Sequence, residues 1–195
     1  GVNVKIAVDL DGVVFQFLPA FLEFVKTQTG RIIPIHSVRG WNFLTDWGFT
    51  EAEDKQLLHD FCLDGGYLRT ELIPGARYNL YKLLHDLKHE IIFITSRPAV
   101  AMIDTFQMLE KHGLGGFQIH FSDKVNTKGT LVKQLECDIL IEDRWEYLAE
   151  AKKLNHDLIL ILFNYEKQLE PPSAKDLLPL YAEDWDTVVK IVQEQ

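Results

Sequence analysis

Long apolar runs are missing from this chain. No stretch of about 18 uninterrupted apolar residues occurs, so no membrane-spanning helix, and no membrane partner, is expected. The start lacks the basic segment and apolar core of a signal peptide. Gly1 stands where Met is expected and reads as the remnant of a cleaved tag, so it is set aside. Cysteine is scarce: Cys62 and Cys137 lie on apolar stretches without C-x-x-C spacing, which argues against both a zinc site and a disulfide framework and fits a reducing cytoplasm. Basic residues are outnumbered, 20 Lys and Arg against 29 Asp and Glu, for a formal charge of −9. A surface broad enough to neutralise a long nucleic acid is therefore disfavoured. A small anionic substrate stays open, because one local cation and a few backbone N–H groups can reverse the field inside a cleft.

What is present is 195 residues, 47% of them hydrophobic, enough for one sizeable core and a small second lobe. The stretch that organises it is Val4 to Val14. Its apolar, largely β-branched first half favours a strand buried on both faces. Asp9 and Asp11 follow where the run ends, and Gly12 lets the backbone turn. In open α/β sheets ligands sit beyond the carboxyl ends of the strands, so acids at that place face whatever is bound. The alternative is a solvated loop cap, where Asp is common.

Phe17 to Thr29 carries apolar residues at helical spacing and Gly30 would end that helix. Arg31 to Phe49 is irregular and rich in aromatic anchors, while Thr50 to Glu53 reads as a capping box opening a helix to about Leu63. A helix from Arg77 to Lys88 follows Pro74 and Gly75, with Leu80, Leu83, Leu84 and Leu87 as its stripe. From there strands and helices alternate. Strands are expected at Ile91–Ile94, Gln118–Phe121, Ile139–Ile141 and Leu158–Phe163, with helices from Pro98 to about Lys111, near Leu131–Glu136, at Trp145–Leu154 and near Asp186–Val192. Glu170 to Leu178 reads as a Pro-interrupted loop.

That alternation, on repeats of about 20–30 residues, argues a parallel sheet with right-handed crossovers in an α/β fold. Residues 15–72 break it. They read as helical with no strand, a small lobe inserted straight after Asp11 and placed to act as a lid, leaving residues 1–14 and 73–195 as the core.

Three strand ends carry residues suited to phosphoryl transfer: Asp9 and Asp11, then Thr95 and Ser96, then Glu142 and Asp143, with Lys124 or Lys128 between the last two. Taken in order, Asp9-Leu10-Asp11-Gly12-Val13-Val14, Thr95, Lys128 and Glu142-Asp143 resemble the four motifs of the haloacid dehalogenase superfamily. Within it the chain is similar to the 5'(3')-deoxyribonucleotidases, through Phe17, Arg39-Gly40-Trp41, Leu72 to Ala76, Thr95-Ser96 and Ile141 to Arg144.

The resemblance implies a Rossmann-like core with a small helical cap, and a Mg²⁺-dependent phosphomonoesterase acting on a small phosphorylated substrate such as a nucleoside monophosphate. Asp9 would be the nucleophile that forms an aspartyl-phosphate and a metal ligand. Asp11 would protonate the leaving alcohol, activate water and offer its carbonyl to the metal, and Asp143 would complete that site. Thr95 and Ser96 would hold phosphoryl oxygens, and Lys128 would neutralise charge on Asp9. Lys128 is preferred to Lys124 because it opens a helix before the fourth strand, while Lys133 falls mid-helix.

Glu142 stands where the motif commonly has Asp, one methylene longer, and its support of the lysine is left open by the sequence. Phe17 and Trp41 suit stacking on a base as well as packing of a small lobe. Arg97 could reach a phosphate or sugar, or lie exposed near its helix start. His85 and His89 have metal-ligand spacing but no third partner, and the Trp145–Leu154 stripe reads as core packing. A sugar-phosphate phosphatase and a catalytically silent phosphate- or Mg²⁺-binding module are the competing readings.

Overall fold

The computed structural model describes residues 2–165, 177 and 179–195. In chain order the elements are β1 (Lys5–Val8), β2 (Phe15–Gln16), α1 (Phe17–Thr29), α2 (Phe43–Asp46), α3 (Glu51–Leu63), β3 (Glu71–Leu72), α4 (Ala76–Tyr81), β4 (Glu90–Thr95), α5 (Met102–Lys111), β5 (Gln118–Phe121), α6 (Lys128–Gln134), β6 (Ile139–Glu142), α7 (Trp145–Leu154), β7 (Ile159–Phe163), β8 (Leu180–Ala182) and α8 (Trp185–Gln193). None of the described helices is long and apolar enough to cross a membrane.

Six strands form one sheet in the order β5-β4-β1-β6-β7-β8, every pair parallel. Residues alternate across it, as the two-residue repeat of a strand requires. Ile6 and Val8 pack on one face with Leu80, Leu83 and Trp185, whereas Ala7 packs on the other with Val132, Leu148 and Ala151. Helices on both faces are what turn the strands into continuous apolar runs. The chain leaves β1 for β4 and β5 on one side, then returns to build β6, β7 and β8 on the other. Such a reversal opens a crevice at the strand ends beside β1.

The segment between β1 and α4 supplies its own apolar cluster, made by Phe17, Phe21, Phe24, Phe43, Phe61 and Tyr67 among others. Its α3 begins with the expected capping box: Thr50 accepts from the Glu53 N–H, and the Glu53 carboxylate accepts from the Thr50 N–H.

Three expectations need correction. The inserted segment is not free of strands, because β2 and β3 pair antiparallel where it leaves and rejoins the core, Phe15 opposite Leu72 and Gln16 opposite Glu71. Two residues per strand are too few for period-two alternation to register in sequence. The helix expected over Arg77–Lys88 starts at Ala76 and loosens into a π-helical turn at Lys82–Asp86 before Lys88 adopts a φ of 60°. The sheet also gains a sixth strand, β8, whose three residues carry too little pattern to read. The loop expected over 170–178 lies outside the described residues, apart from Leu177.

Candidate active site

Asp9 is fixed by backbone pairing that outlasts β1: its N–H donates to the Ile141 carbonyl at 3.0 Å, so β1 and β6 stay side by side up to the acids. The next turn is tight. The N–H groups of Val13, Val14 and Phe15 all converge on the Leu10 carbonyl, with Gly12 at a φ of 82°. A Cβ on Gly12 would lie 1.9 Å from Asp143 Oδ2, so both the angle and the space require glycine. Trp185 locks the turn from below, donating its indole N–H to the Val13 carbonyl at 2.8 Å.

Lys128, at the first position of α6, is buried between two acids. Its Nζ donates to Asp9 Oδ1 at 2.6 Å and to Glu142 Oε2 at 2.5 Å. Thr127 caps the helix by accepting from the Thr130 N–H, which sets the direction in which Lys128 leaves it. Lys124 and Lys133 are exposed. The second oxygen of Glu142 accepts from the N–H groups of Asp143 and Arg144, at 3.1 and 3.2 Å. The extra methylene is thus absorbed in a fully satisfied carboxylate that orients the lysine.

Electrostatics divides these acids. Burial, followed by repulsion from Glu142, pushes the Asp9 carboxyl well above the usual range. Burial and the charges of Glu142 and Asp9 do the same to Asp143. Burial also pushes Glu142 up, but the Lys128 ammonium and the bonds it accepts outweigh that and bring it below its ordinary value. Lys128 is raised despite burial, because Asp9 and Glu142 hold its proton.

Candidate ligand oxygens of Asp9, Glu142 and Asp143 lie within 4.8 Å of one another, the one such buried group among the described residues. Three carboxylates there face a single ammonium. A hard divalent cation fits both the donor set and the surplus of negative charge, with Glu142 already spent on Lys128 and backbone and Asp9 and Asp143 left to serve it.

Arg97 departs from expectation. Its side chain is fully buried and forks onto Asp11, Nε to Oδ2 at 2.9 Å and Nη2 to Oδ1 at 2.7 Å, while Nη1 donates to Thr105 at 3.2 Å. It is therefore not an exposed helix-start residue: it borders the cavity with its guanidinium already committed to Asp11. Thr95, at the end of β4, is 1% exposed and its Oγ1 accepts from the Arg97 N–H at 3.2 Å, which leaves the hydroxyl proton to donate. Ser96 borders the cavity and pairs with Ser122 at 3.1 Å.

A cavity of about 220 Å³ joins these groups to the inserted segment. Phe17 and Trp41 both line it, and Phe17 also packs within the inserted segment, stacked on Phe21 with ring centroids 5.1 Å apart. The Arg144 guanidinium lies between Trp41 and Tyr147, 5.4 and 4.7 Å from their rings. Trp41 Nε1 and Arg144 Nε are buried without hydrogen-bond partners among the described residues.

Tyr67 and Tyr147 border the cavity too, and sequence reasoning missed both. Tyr147 sits on the stripe read as core packing. Tyr67 follows Gly65-Gly66, where only the end of a helix is legible. Away from the cavity, His85 stacks on Tyr81 and His89 Nδ1 accepts from the Val4 N–H, and neither is part of the buried acidic group.

Comparison with known proteins agrees with this geometry. Over 159 residues the chain is 30% identical to a protein of Chlorobaculum tepidum named "Putative 5'(3')-deoxyribonucleotidase", covering 77% of this chain and 74% of that one. A haloacid dehalogenase-like family protein from Streptococcus pneumoniae superposes with a TM-score of 0.72 at 13% identity, over 98% of this chain and 99% of the other. A haloacid dehalogenase-family hydrolase from Deinococcus radiodurans, solved with phosphate and sodium, does so with a TM-score of 0.70 at 14% identity, over 98% and 96%. Residues 3–190 match the family described as "5' nucleotidase, deoxy (Pyrimidine), cytosolic type C protein", and this chain belongs to that family of haloacid dehalogenase-fold nucleotidases.

Proposed function

We propose that this protein hydrolyses the phosphate ester of a nucleoside monophosphate through an aspartyl-phosphate on Asp9. The observation that carries the proposal is Asp9 itself, buried, clamped by Lys128 through Oδ1, and facing a cavity walled by Phe17 and Trp41. With one oxygen held, the other would attack phosphorus.

In the first half-reaction Asp9 attacks, the bond from phosphorus to the ester oxygen breaks, and Asp11 gives that oxygen a proton. In the second, Asp11 takes a proton from water, which attacks phosphorus and frees Asp9 and inorganic phosphate. The Thr95 and Ser96 hydroxyls donate to phosphoryl oxygens, and Lys128 offsets charge on Asp9 as it gains the phosphoryl group. Asp9, Asp143 and the Asp11 carbonyl would hold Mg²⁺, which when bound supplies positive charge beside the transferring group. Residues 15–72 form the lid, whose aromatic side chains exclude water and offer faces on which a base stacks.

The test is phosphate release from a panel of ribo- and deoxyribonucleoside monophosphates and of sugar phosphates, with Mg²⁺ and with chelator, by wild-type and Asp9→Asn protein. A nucleotide should lead the panel, and both chelator and the substitution should abolish release. Preference for sugar phosphates would overturn the substrate, activity surviving in Asp9→Asn protein the mechanism, and metal-dependent binding without release the assignment as an enzyme.

A further inference from the structure

Two cations are buried among the described residues, and the chemistry above uses only Lys128. Arg97 stands 86 residues from Asp11 in sequence, yet takes both oxygens of its carboxylate. A two-pronged guanidinium fixes the plane of a carboxylate as well as its position, which a lysine cannot do. Three elements hold the guanidinium in turn. The backbone leaving β4 carries it. Thr105 on α5 accepts from Nη1 at 3.2 Å and is itself anchored on the Ala101 carbonyl at 2.7 Å. The Tyr67 ring, from the inserted segment, lies with its centroid 4.0 Å from the guanidinium carbon, on the side where that segment meets the core.

A buried ion pair kept only for stability is replaceable by apolar groups, often without loss. This one ends on a carboxylate that is 20% exposed and borders the cavity, on a loop bent by Gly12, where no other described residue hydrogen-bonds its side chain. We infer that Arg97 is a positioning residue that aims Asp11 at the leaving oxygen, and that Tyr67 makes this aim depend on the inserted segment being seated. The inference rests on the reading of Asp11 as the acid.

Leaving-group dependence separates positioning from the alternatives. Departure of a nucleoside alkoxide needs a proton donor, whereas p-nitrophenolate leaves without one. Because kcat/KM covers binding and the events up to that departure, it includes the acid step and excludes the later attack of water. Arg97→Met should lower kcat/KM for a nucleoside 5'-monophosphate about 100-fold, in the range of general acid catalysis, and for p-nitrophenyl phosphate no more than about fivefold. Arg97→Lys, which keeps the charge but loses the fork, should fall between. Tyr67→Leu leaves the ion pair intact and should show the same selectivity, more weakly, so the test survives if Arg97→Met protein folds poorly.

Equal losses on both substrates would mean a phosphate contact or a merely structural role, and would overturn the inference, as would no loss. If Asp11→Asn is selective for the nucleotide and the Arg97 and Tyr67 variants are not, the inference alone fails. If Asp11→Asn is itself unselective, the reading of Asp11 as the acid fails and the inference falls with it.

Discussion

The two buried cations of this molecule are set in opposite electrostatic situations. Lys128 is shared by Asp9 and Glu142 with Asp143 close by, so negative charge exceeds positive. Arg97 meets one carboxylate, Asp11, prong for prong. The first arrangement is underneutralised and ready for a further cation. The second is closed, and its excess is of geometric constraint rather than of charge. Acids two residues apart on one loop thus receive different partners, the condition under which similar side chains can take different tasks.

The same substitution made at each acid should have the largest and most divergent effects. Asp9→Asn should reduce phosphate release at least ~10³-fold, since a nucleophile has no substitute. Without metal it should melt no lower than wild type, because it relieves crowding and leaves Lys128 paired with Glu142. Asp11→Asn should instead lose about 3–5 kcal/mol, because it strands a buried guanidinium. Denaturant melts of both variants in chelator decide the matter, and equal shifts would erase the distinction drawn between the two pairs.

Removing the lysine breaks the comparison from the other side. Lys128→Met leaves three buried acids without a counter-ion, and about 3–5 kcal/mol of stability should go with it, together with activity. Added Mg²⁺ should recover part of the stability but not the rate. Full recovery of turnover would show that Lys128 serves only as ballast.

A subtler change is Gly12→Ala. Its Cβ would collide with Asp143 Oδ2, so that acid must shift, and a side chain at a φ of 82° strains the turn beside Asp11. A displacement on that scale should cost about 10²-fold in kcat. A rate near wild type would mean that Asp143 is not needed where it stands.

The smallest expected effect is the pH slope of stability in metal-free protein. Asp9 and Asp143 have raised values, so the folded state holds their protons more tightly than the unfolded chain does. That contribution is complete below the ordinary carboxylate range and is lost as pH rises through the raised values. Glu142, lowered by Lys128, runs the other way, adding stability above its unfolded value and losing it as pH falls. With two groups against one, thermal midpoints in chelator should decline from about pH 4 towards neutrality, and Mg²⁺ should flatten the decline. A rising slope in chelator would contradict the surplus of negative charge.

Much of this was legible without coordinates of any atom. The helices Phe17–Thr29 and Trp145–Leu154 and the strand Gln118–Phe121 have the bounds read from sequence, because the apolar pattern is clear there and Gly30 ends the first helix. Asp9 with Lys128 followed from a motif order tied to strand ends. The burial of Arg97 was not legible because nothing local in Ser96-Arg97-Pro98 says that its partner Asp11 lies beyond the end of another strand. Tyr67 and Tyr147 were missed for a related reason: an aromatic residue carries the same apolar signal whether it faces a core or a cavity. The ribbon of β2 and β3, and β8, were too short for their period to speak.

Composition, strand-end acids and helix periodicity by themselves determined the class of fold and the excess of acidic over basic residues, and the motif order marked the candidate residues, since these depend on local pattern and on counts. Only the tertiary structure decided which acid meets which cation, that Glu142 can hold the lysine despite its length, and that Arg97 is buried against Asp11. Those outcomes depend on side chains from separate strands meeting at one rim, and distance in space between residues far apart in the chain is not written in either of their neighbourhoods.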